Sequence, residues 1–300
     1  MDQTSTIIPE IPLLSGKNIP KLGLGTWLIG GDHTGRLLDN DDEGQIKSIK
    51  YAVDNGFSLI RTAHNYAAGY CEELVGKAIK GYDRDKLFMI SAANQKFAVD
   101  EASLLEIAHG SLKSLGIEYF DIFIIGAINT EVSLKSILDG LKNLKEKGLT
   151  KDIGVANFRL PELEAAYNYL GKELVYNEMH YNLIIREPQI CGALDFCKHK
   201  GIVLGAYRPL QLGQLSKPGI AILDELAKKY NKSQSQIALK WLIQQDGVIT
   251  MPKALSAKHI DEDLELFDWE LSQEDIEKLN NDFPIQIRMS DCSEPRKFKR

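Results

Sequence analysis

A repeated unit governs what this chain can fold into: a short apolar, β-prone run followed by a longer stretch whose apolar positions recur at helical spacing. Strand runs are read at Leu22–Trp27, Ser58–Ile60, Leu87–Ile90, Ile122–Ile125, Ile153–Val155, Leu174–Tyr176, Val203–Ala206 and Val248–Thr250. Helical spacing is read after them, among other places over 41–55, 71–80, 103–115, 134–147, 160–170, 188–199 and 221–245, and again around His259 and Asp263. Eight strand signals, each trailed by a helix signal, predict a (β/α)8 TIM barrel, in which parallel strands close on themselves and helices cover the outside. A doubly wound open sheet alternates in the same way. The barrel is preferred because no Gly-x-Gly-x-x-Gly opens a helix after the first strand, and because the distinctive residues gather at the C-terminal ends of many strands. Residues 6–20 read as a short strand pair, Ile7–Pro9 and Ile11–Leu14, with Ser15–Asn18 as the turn that follows. No linker, fixed-period repeat or low-complexity run appears, so 1–300 is read as one domain with a short N-terminal strand pair and a C-terminal tail.

Composition narrows the function classes. A hydrophobic content of 44% over 300 residues supports a large core. The net charge of -6 comes from 42 acidic and 36 basic residues spread along the chain, so no basic stripe points to nucleic acid. The basic cluster Arg296–Arg300 reads as a frayed terminus. Cys71, Cys191, Cys197 and Cys292 form no Cys-x-x-Cys pair, and the N-terminus lacks a signal-like apolar run. Reduced thiols in a cytoplasmic protein are expected, with neither a disulfide frame nor a zinc site. No window approaches the ~18 apolar residues of a membrane span. The expected partner is a small-molecule substrate, and no partner protein is evident.

One stretch delivers chemistry to a strand end: Phe57-Ser-Leu-Ile-Arg61-Thr-Ala-His-Asn-Tyr66, a mostly apolar run that ends in a charge and a polar, aromatic cluster. With Gly23–Trp27, Arg84–Phe88, Ser114–Asp121, Gly154–Phe158, Asn177–Leu183, Ala206–Leu210 and Pro252–Ala254, it resembles the aldo-keto reductases in order and spacing over nearly the whole chain. The resemblance implies that family's TIM barrel, with its site at the C-terminal face of the strands. It also implies a tetrad in which a tyrosine protonates the substrate carbonyl as NADPH delivers hydride, a lysine–aspartate pair lowers the tyrosine's pKa, and a histidine orients the substrate. On this alignment only the tyrosine is kept, as Tyr66; the aspartate position holds Arg61, the lysine position Ala92 and the histidine position Gly126. On the cofactor side Ala156 stands for a serine, Glu178 for a glutamine, Leu255 for a serine or threonine and Asp263 for an asparagine. Asn157, Tyr207 and Lys253 match the family.

These substitutions predict a changed reaction. Without a neighbouring ammonium, a phenol titrating near ~10 loses the charge that favours its ionised form, and the planar fork of Arg61 does not copy a lysine. Ala92, Gly126 and Ala156 are smaller than the residues they replace and are expected to widen a mouth walled by Trp27, Tyr66 and Tyr207. Glu178 adds a carboxylate there. The pattern reads as a rebuilt pocket of the kind protein engineering leaves, needing neither cofactor nor metal. In it Glu178 is the general base of a lyase-type proton abstraction, with Arg61, Asn157 or Tyr66 donating to developing negative charge. The alternative is an NADP-binding pseudoenzyme that holds its dinucleotide through Asn157, Tyr207, Lys253 and Asp263, or a residual NADPH-dependent oxidoreductase. A plain buried ion pair between Glu178 and Arg61 stands beside the base reading. His180, two residues beyond Glu178, shares its strand face and is a candidate to point into the same mouth, against the preferred reading of a polar rim histidine. A Cys71–His64 pair and a Schiff base on Lys253 are weaker candidates, and His259 with Asp263 reads as a surface or phosphate-rim group rather than a metal site.

Overall fold

The computed structural model describes residues 7–32, 35–98, 100–127 and 132–292; the basic cluster Arg296–Arg300 lies outside them. An antiparallel hairpin, β1 (Glu10–Pro12) and β2 (Asn18–Pro20), precedes the first barrel strand β3 (Gly23–Gly25). A small antiparallel pair, β4 (Gly31–Asp32) with β5 (Gly35–Arg36), leads into α1 (Asp42–Asp54). Alternation then follows: β6 (Leu59–Arg61), α2 (Tyr70–Ile79), β7 (Phe88–Ala93), α3 (Glu101–Leu115), β8 (Phe120–Ile125), α4 (Leu134–Glu146), β9 (Thr150–Ala156) and α5 (Leu160–Leu170). The second half carries β10 (Leu174–His180), α6 (Glu187–Ile190), α7 (Ala193–Lys200), β11 (Val203–Tyr207), α8 (Ala221–Tyr230), α9 (Gln234–Ile243), β12 (Val248–Thr250), α10 (Ala257–Leu264) and α11 (Gln273–Asn281).

Among the described residues, eight of these strands form one parallel sheet in the order β3-β6-β7-β8-β9-β10-β11-β12. A parallel bridge between Leu22 and Thr250 brings its two edges together, supported by the Thr250 N–H donating to the Lys21 carbonyl at 3.1 Å. The result is the expected (β/α)8 barrel. Strands β7 and β8 are buried at every residue, as parallel strands covered on both faces must be, and their sequences are accordingly near-continuous apolar runs. Two apolar layers follow from this geometry. One lies between strands and helices, and the other fills the barrel interior with Leu59, Ile90, Ile122, Ile124, Val175 and Ile249. The hairpin closes the N-terminal end, where Leu13 and Ile19 join the interior layer.

Local chemistry sets the helix boundaries. Asp100 and Ser103 form a reciprocal capping box at the start of α3, which ends on Gly116 in the left-handed conformation. Two helical runs read as continuous are each broken once. Asn231, at φ 52°, terminates α8 and Ser233 caps α9, while Gly192, at φ 81°, separates α6 from α7. The N-terminal pair also differs from expectation: Glu10–Pro12 pairs with Asn18–Pro20 and residues 13–17 make the turn, because Leu13 is drawn into the barrel interior. Several strands run further toward their C-termini than the apolar runs suggest, so that Ala92, Ala156, Glu178, His180 and Tyr207 all lie on strands.

Gly205 on β11 is required by close approach. A Cβ there would meet the Tyr176 hydroxyl oxygen of the adjacent β10 at 1.8 Å. Gly205→Ala is therefore expected to destabilise the barrel by about 1–3 kcal/mol through overpacking. Urea unfolding measures this, and a variant as stable as the native chain shows that the Tyr176 ring is not fixed there.

Candidate active site

Side chains two apart on a strand share a face, so Tyr176, Glu178 and His180 project from β10 in the same direction. Arg61 ends β6 on the opposite side of the mouth and reaches across it. Its Nε donates to both Glu178 oxygens, at 3.1 and 3.0 Å, and Nη2 donates to Oε1 at 2.6 Å. Its Nη1 donates to the Thr62 carbonyl at 2.5 Å and to the Tyr66 hydroxyl at 3.0 Å. Tyr176 donates its hydroxyl to Glu178 Oε2 at 3.1 Å. Arg61 is 8% exposed and Glu178 3%, so this is a desolvated ion pair whose polar atoms are satisfied from within the protein. Tyr176 is the member that sequence reasoning missed; its only signal was its place two residues before Glu178.

The electrostatics follow from burial and one strong pairing. Burial is the largest single influence on Arg61 and opposes its charge, but the Glu178 carboxylate, Tyr66 and Tyr176 together outweigh burial and hold the guanidinium above its ordinary pKa. Burial is the largest influence on Tyr66 and raises its phenol above the usual range; Arg61 pulls it part of the way back. Burial, and then the Glu178 charge, push Tyr176 well above that range. Tyr66 is therefore a neutral phenol at physiological pH with a cation on its oxygen.

Backbone strain gathers at the same rim. Among the described residues, the non-glycine positions with positive φ are Leu28, Ala67, Ala68, Asn157, Arg208, Gln211, Leu212 and the helix-capping Asn231. All but the last follow the C-terminal ends of barrel strands. Such conformations persist only where the surroundings enforce them, and Ala67 with Ala68 fixes the turn that presents Tyr66.

A cleft of about 680 Å³ opens from the Arg61–Tyr66–Glu178 cluster, passes Trp27, Tyr207 and Arg208, and reaches Lys253, Lys258 and Asp263. Asn157 is locked beside it, donating to the Gly126 carbonyl at 2.9 Å and accepting from the Tyr207 hydroxyl at 2.8 Å. Partial desolvation lowers the Lys253 pKa. Asp263 is 6% exposed; burial, reinforced by Glu262, pushes its carboxyl up to about 8. Four expected pocket residues, Ala92, Gly126, Ala156 and Asn157, do not line this cleft. Ala92 and Ala156 pack in the barrel interior with Tyr176 and against Tyr66, and Gly126 contributes its carbonyl to Asn157. His64 turns to accept from the Asn94 N–H at 3.0 Å, while the Cys71 thiol donates to Thr26, so they form no nucleophilic pair.

A model of the Aldo/keto reductase family matches residues 21–281. The chain belongs to the aldo/keto reductase family. Glyoxal reductase of Bacillus subtilis (strain 168) is 32% identical over 272 residues, covering 90% of this chain and 91% of that protein. The solved structure of the thermostable aldo-keto reductase Tm1743, with the inhibitor epalrestat, superposes with a TM-score of 0.86 at 34% identity. The match covers 91% of this chain and 98% of that one. An aldo-keto reductase from Klebsiella pneumoniae in complex with NADPH has the same fold, with a TM-score of 0.83 at 24% identity, covering 94% of this chain and 98% of that one.

These findings correct the expectation of cofactor-independent, lyase-type chemistry in an engineered pocket. The relatives are reductases, and the Klebsiella protein of this fold holds NADPH. The geometry supplies the physical reason. Glu178 has both oxygens engaged by Arg61 and one by Tyr176, so abstracting a substrate proton would break a buried, hydrogen-bonded pair.

Two stability predictions follow from the buried charges. Glu178→Gln strands a guanidinium and is expected to destabilise by about 3–5 kcal/mol, whereas Arg61→Met with Glu178→Leu recovers most of that loss. Urea unfolding of the two variants checks it, and equal losses would mean that the pair acts through packing alone. For Asp263, the folded state keeps its proton to higher pH than the unfolded chain, so stability falls as pH rises from the unfolded value near ~4 to about 8. Asp263→Asn should therefore raise the melting temperature by an amount that grows over this window and is level above it. A pH-independent gain in scanning fluorimetry contradicts the assignment.

Proposed function

We propose that this chain is an NADP(H)-dependent reductase of small aldehydes or ketones, in which Tyr66 donates the proton and Arg61 polarises it. The observation that carries this reading is the 3.0 Å hydrogen bond from Arg61 Nη1 to the Tyr66 hydroxyl, with the rest of the guanidinium fixed on Glu178. A cation on the phenol oxygen stabilises the phenolate left after proton transfer. Glu178 keeps that cation in place, and Tyr176 keeps Glu178 in place. In the resemblance to the family a lysine–aspartate pair at the positions of Ala92 and Arg61 does this work; here a cation and a carboxylate recur, with the cation at the aspartate's place on β6 and the carboxylate on β10.

The cleft's donor set fits a dinucleotide phosphate. Lys253 and Lys258 bring positive charge beside the Ser256-capped N-terminus of α10, whose peptide dipoles favour anions. Tyr207 offers an aromatic face and Asp263 a carboxyl for a base amine, and Asn157 holds the Tyr207 hydroxyl from beside the cleft. When bound, the dinucleotide supplies hydride. The raised pKa of Tyr66 suits the reductive direction, because reduction consumes a proton held on the phenol.

A second reading, dinucleotide binding without turnover, is favoured by Ala92 and Gly126, which leave neither ammonium nor imidazole at the positions the resemblance assigns to them. Fluorescence titration with NADPH and absorbance assays with glyoxal and methylglyoxal separate the two. The reductase reading expects saturable binding and turnover. It expects Tyr66→Phe to lower kcat by ~10²–10⁴-fold and Arg61→Lys, which keeps the charge but not the fork, to lower it about tenfold. The rate should stay level through neutral pH and fall only in alkali, as Tyr66 ionises. Binding with no NADPH consumption on any carbonyl supports the second reading and rejects the first.

A further inference from the structure

His180 faces a second cluster of polar groups. Its ring is 1% exposed and stacks on Tyr207 with centroids 5.3 Å apart. The Nδ1 atom lies 2.7 Å from Ser290 Oγ and 3.4 Å from Asp291 Oδ1, and Cys292 Sγ lies 3.6 Å from the same Asp291 oxygen. Ligand atoms of His180, Asp291 and Cys292 all lie within 4.8 Å of one another. Tetrahedral zinc, with bonds of about 2.1 Å to nitrogen and oxygen and about 2.3 Å to sulfur, holds N and O about 3.4 Å apart and S and O about 3.6 Å apart. Two of the three edges already have these lengths.

The ring's hydrogen bonds fix the tautomer such a site needs. Asn182 Nδ2 donates to the Arg208 carbonyl at 2.8 Å and to Gln211 Oε1 at 2.9 Å, its two shortest contacts, and lies 3.2 Å from His180 Nε2. The Gln211 oxygen, 2.8 Å from His180 Nε2, can only accept, so Nε2 carries the hydrogen and the Nδ1 lone pair is directed at Ser290 and Asp291. A metal-binding histidine is ordinarily oriented in this way, by an outer acceptor on its other nitrogen.

We propose that His180 Nδ1, the Asp291 carboxylate and the Cys292 thiolate form a three-ligand site for a thiophilic divalent cation such as zinc, with the fourth position left to water. On binding, the Cys292 thiol releases its proton to solvent and the Ser290 hydroxyl leaves Nδ1. Asp291 also gives up its ion pair with Arg208, whose Nη1 stands 3.1 and 3.3 Å from the carboxylate oxygens. Arg208 is thus the built-in competitor. Because Tyr207 lines the cleft and stacks on His180, an occupied site ties the end of the described chain to the cleft wall. The site does not depend on the reductase reading.

The test is titration of the full chain with Zn²⁺ against a chromophoric chelator, and with Co²⁺ followed by absorption. One equivalent should bind, with a thiolate-to-cobalt charge-transfer band. Cys292→Ser should weaken binding at least tenfold and abolish the band, Arg208→Gln should tighten binding several-fold, and Cys191→Ser should change neither. His180→Asn removes the nitrogen ligand; if it does not fold, the Cys292 variant decides alone. Absence of the band in the native chain, or equal affinity in Cys292→Ser, overturns the proposal.

Discussion

The closure of the parallel sheet, completed where Leu22 bridges Thr250, is the constraint from which the site descends. Parallel strands joined by right-handed crossovers point their C-terminal ends the same way, and closure places all those ends around one rim. Residues far apart in sequence then have no freedom to avoid each other. Arg61 at the end of β6 and Glu178 on β10 are 117 residues apart in the chain, yet they share a desolvated space where each needs the other. A lone charge there would be prohibitive, so the pair stands or falls as a unit.

That unit extends to two phenols with different fates. Tyr176 is wholly buried and spends its proton on Glu178, which makes it a brace. Tyr66 accepts from the guanidinium and reaches the cleft, so its own proton remains available to something outside the protein. The same arrangement that disqualifies Glu178 as a free base makes Arg61 a fixed cation. Positive-φ residues after several barrel strands show the backbone held in costly conformations around these groups, as is common where a fold enforces a binding geometry.

The cleft joins this cluster to a region of different character. Lys253, Lys258 and the start of α10 favour anions, while the nearly buried Asp263 is held toward its neutral form. Between the two ends, Tyr207 touches nearly everything: it donates to Asn157, stacks on His180 and lies beside Arg208. A change at His180 or at the 290–292 segment is therefore felt on the cleft wall through one rigid ring.

The sequence by itself determined the barrel. Strand and helix periodicities alternate eight times, and that pattern has few other ways to bury its apolar faces. It also singled out Arg61, Tyr66 and Glu178, because charged and aromatic residues at strand ends stand out against apolar runs. Helix breaks at Gly192 and Asn231 and the hairpin register were less legible, since they depend on which side chains the interior draws in. Only tertiary structure decided what the three residues do together. Whether Glu178 is a base or a counter-ion turns on the reach of a guanidinium across the mouth, a distance no local spacing encodes. Tyr176 looked like an ordinary strand residue, and His180 shares no spacing with Asp291 and Cys292, because strand direction and barrel closure, not sequence proximity, bring their atoms together.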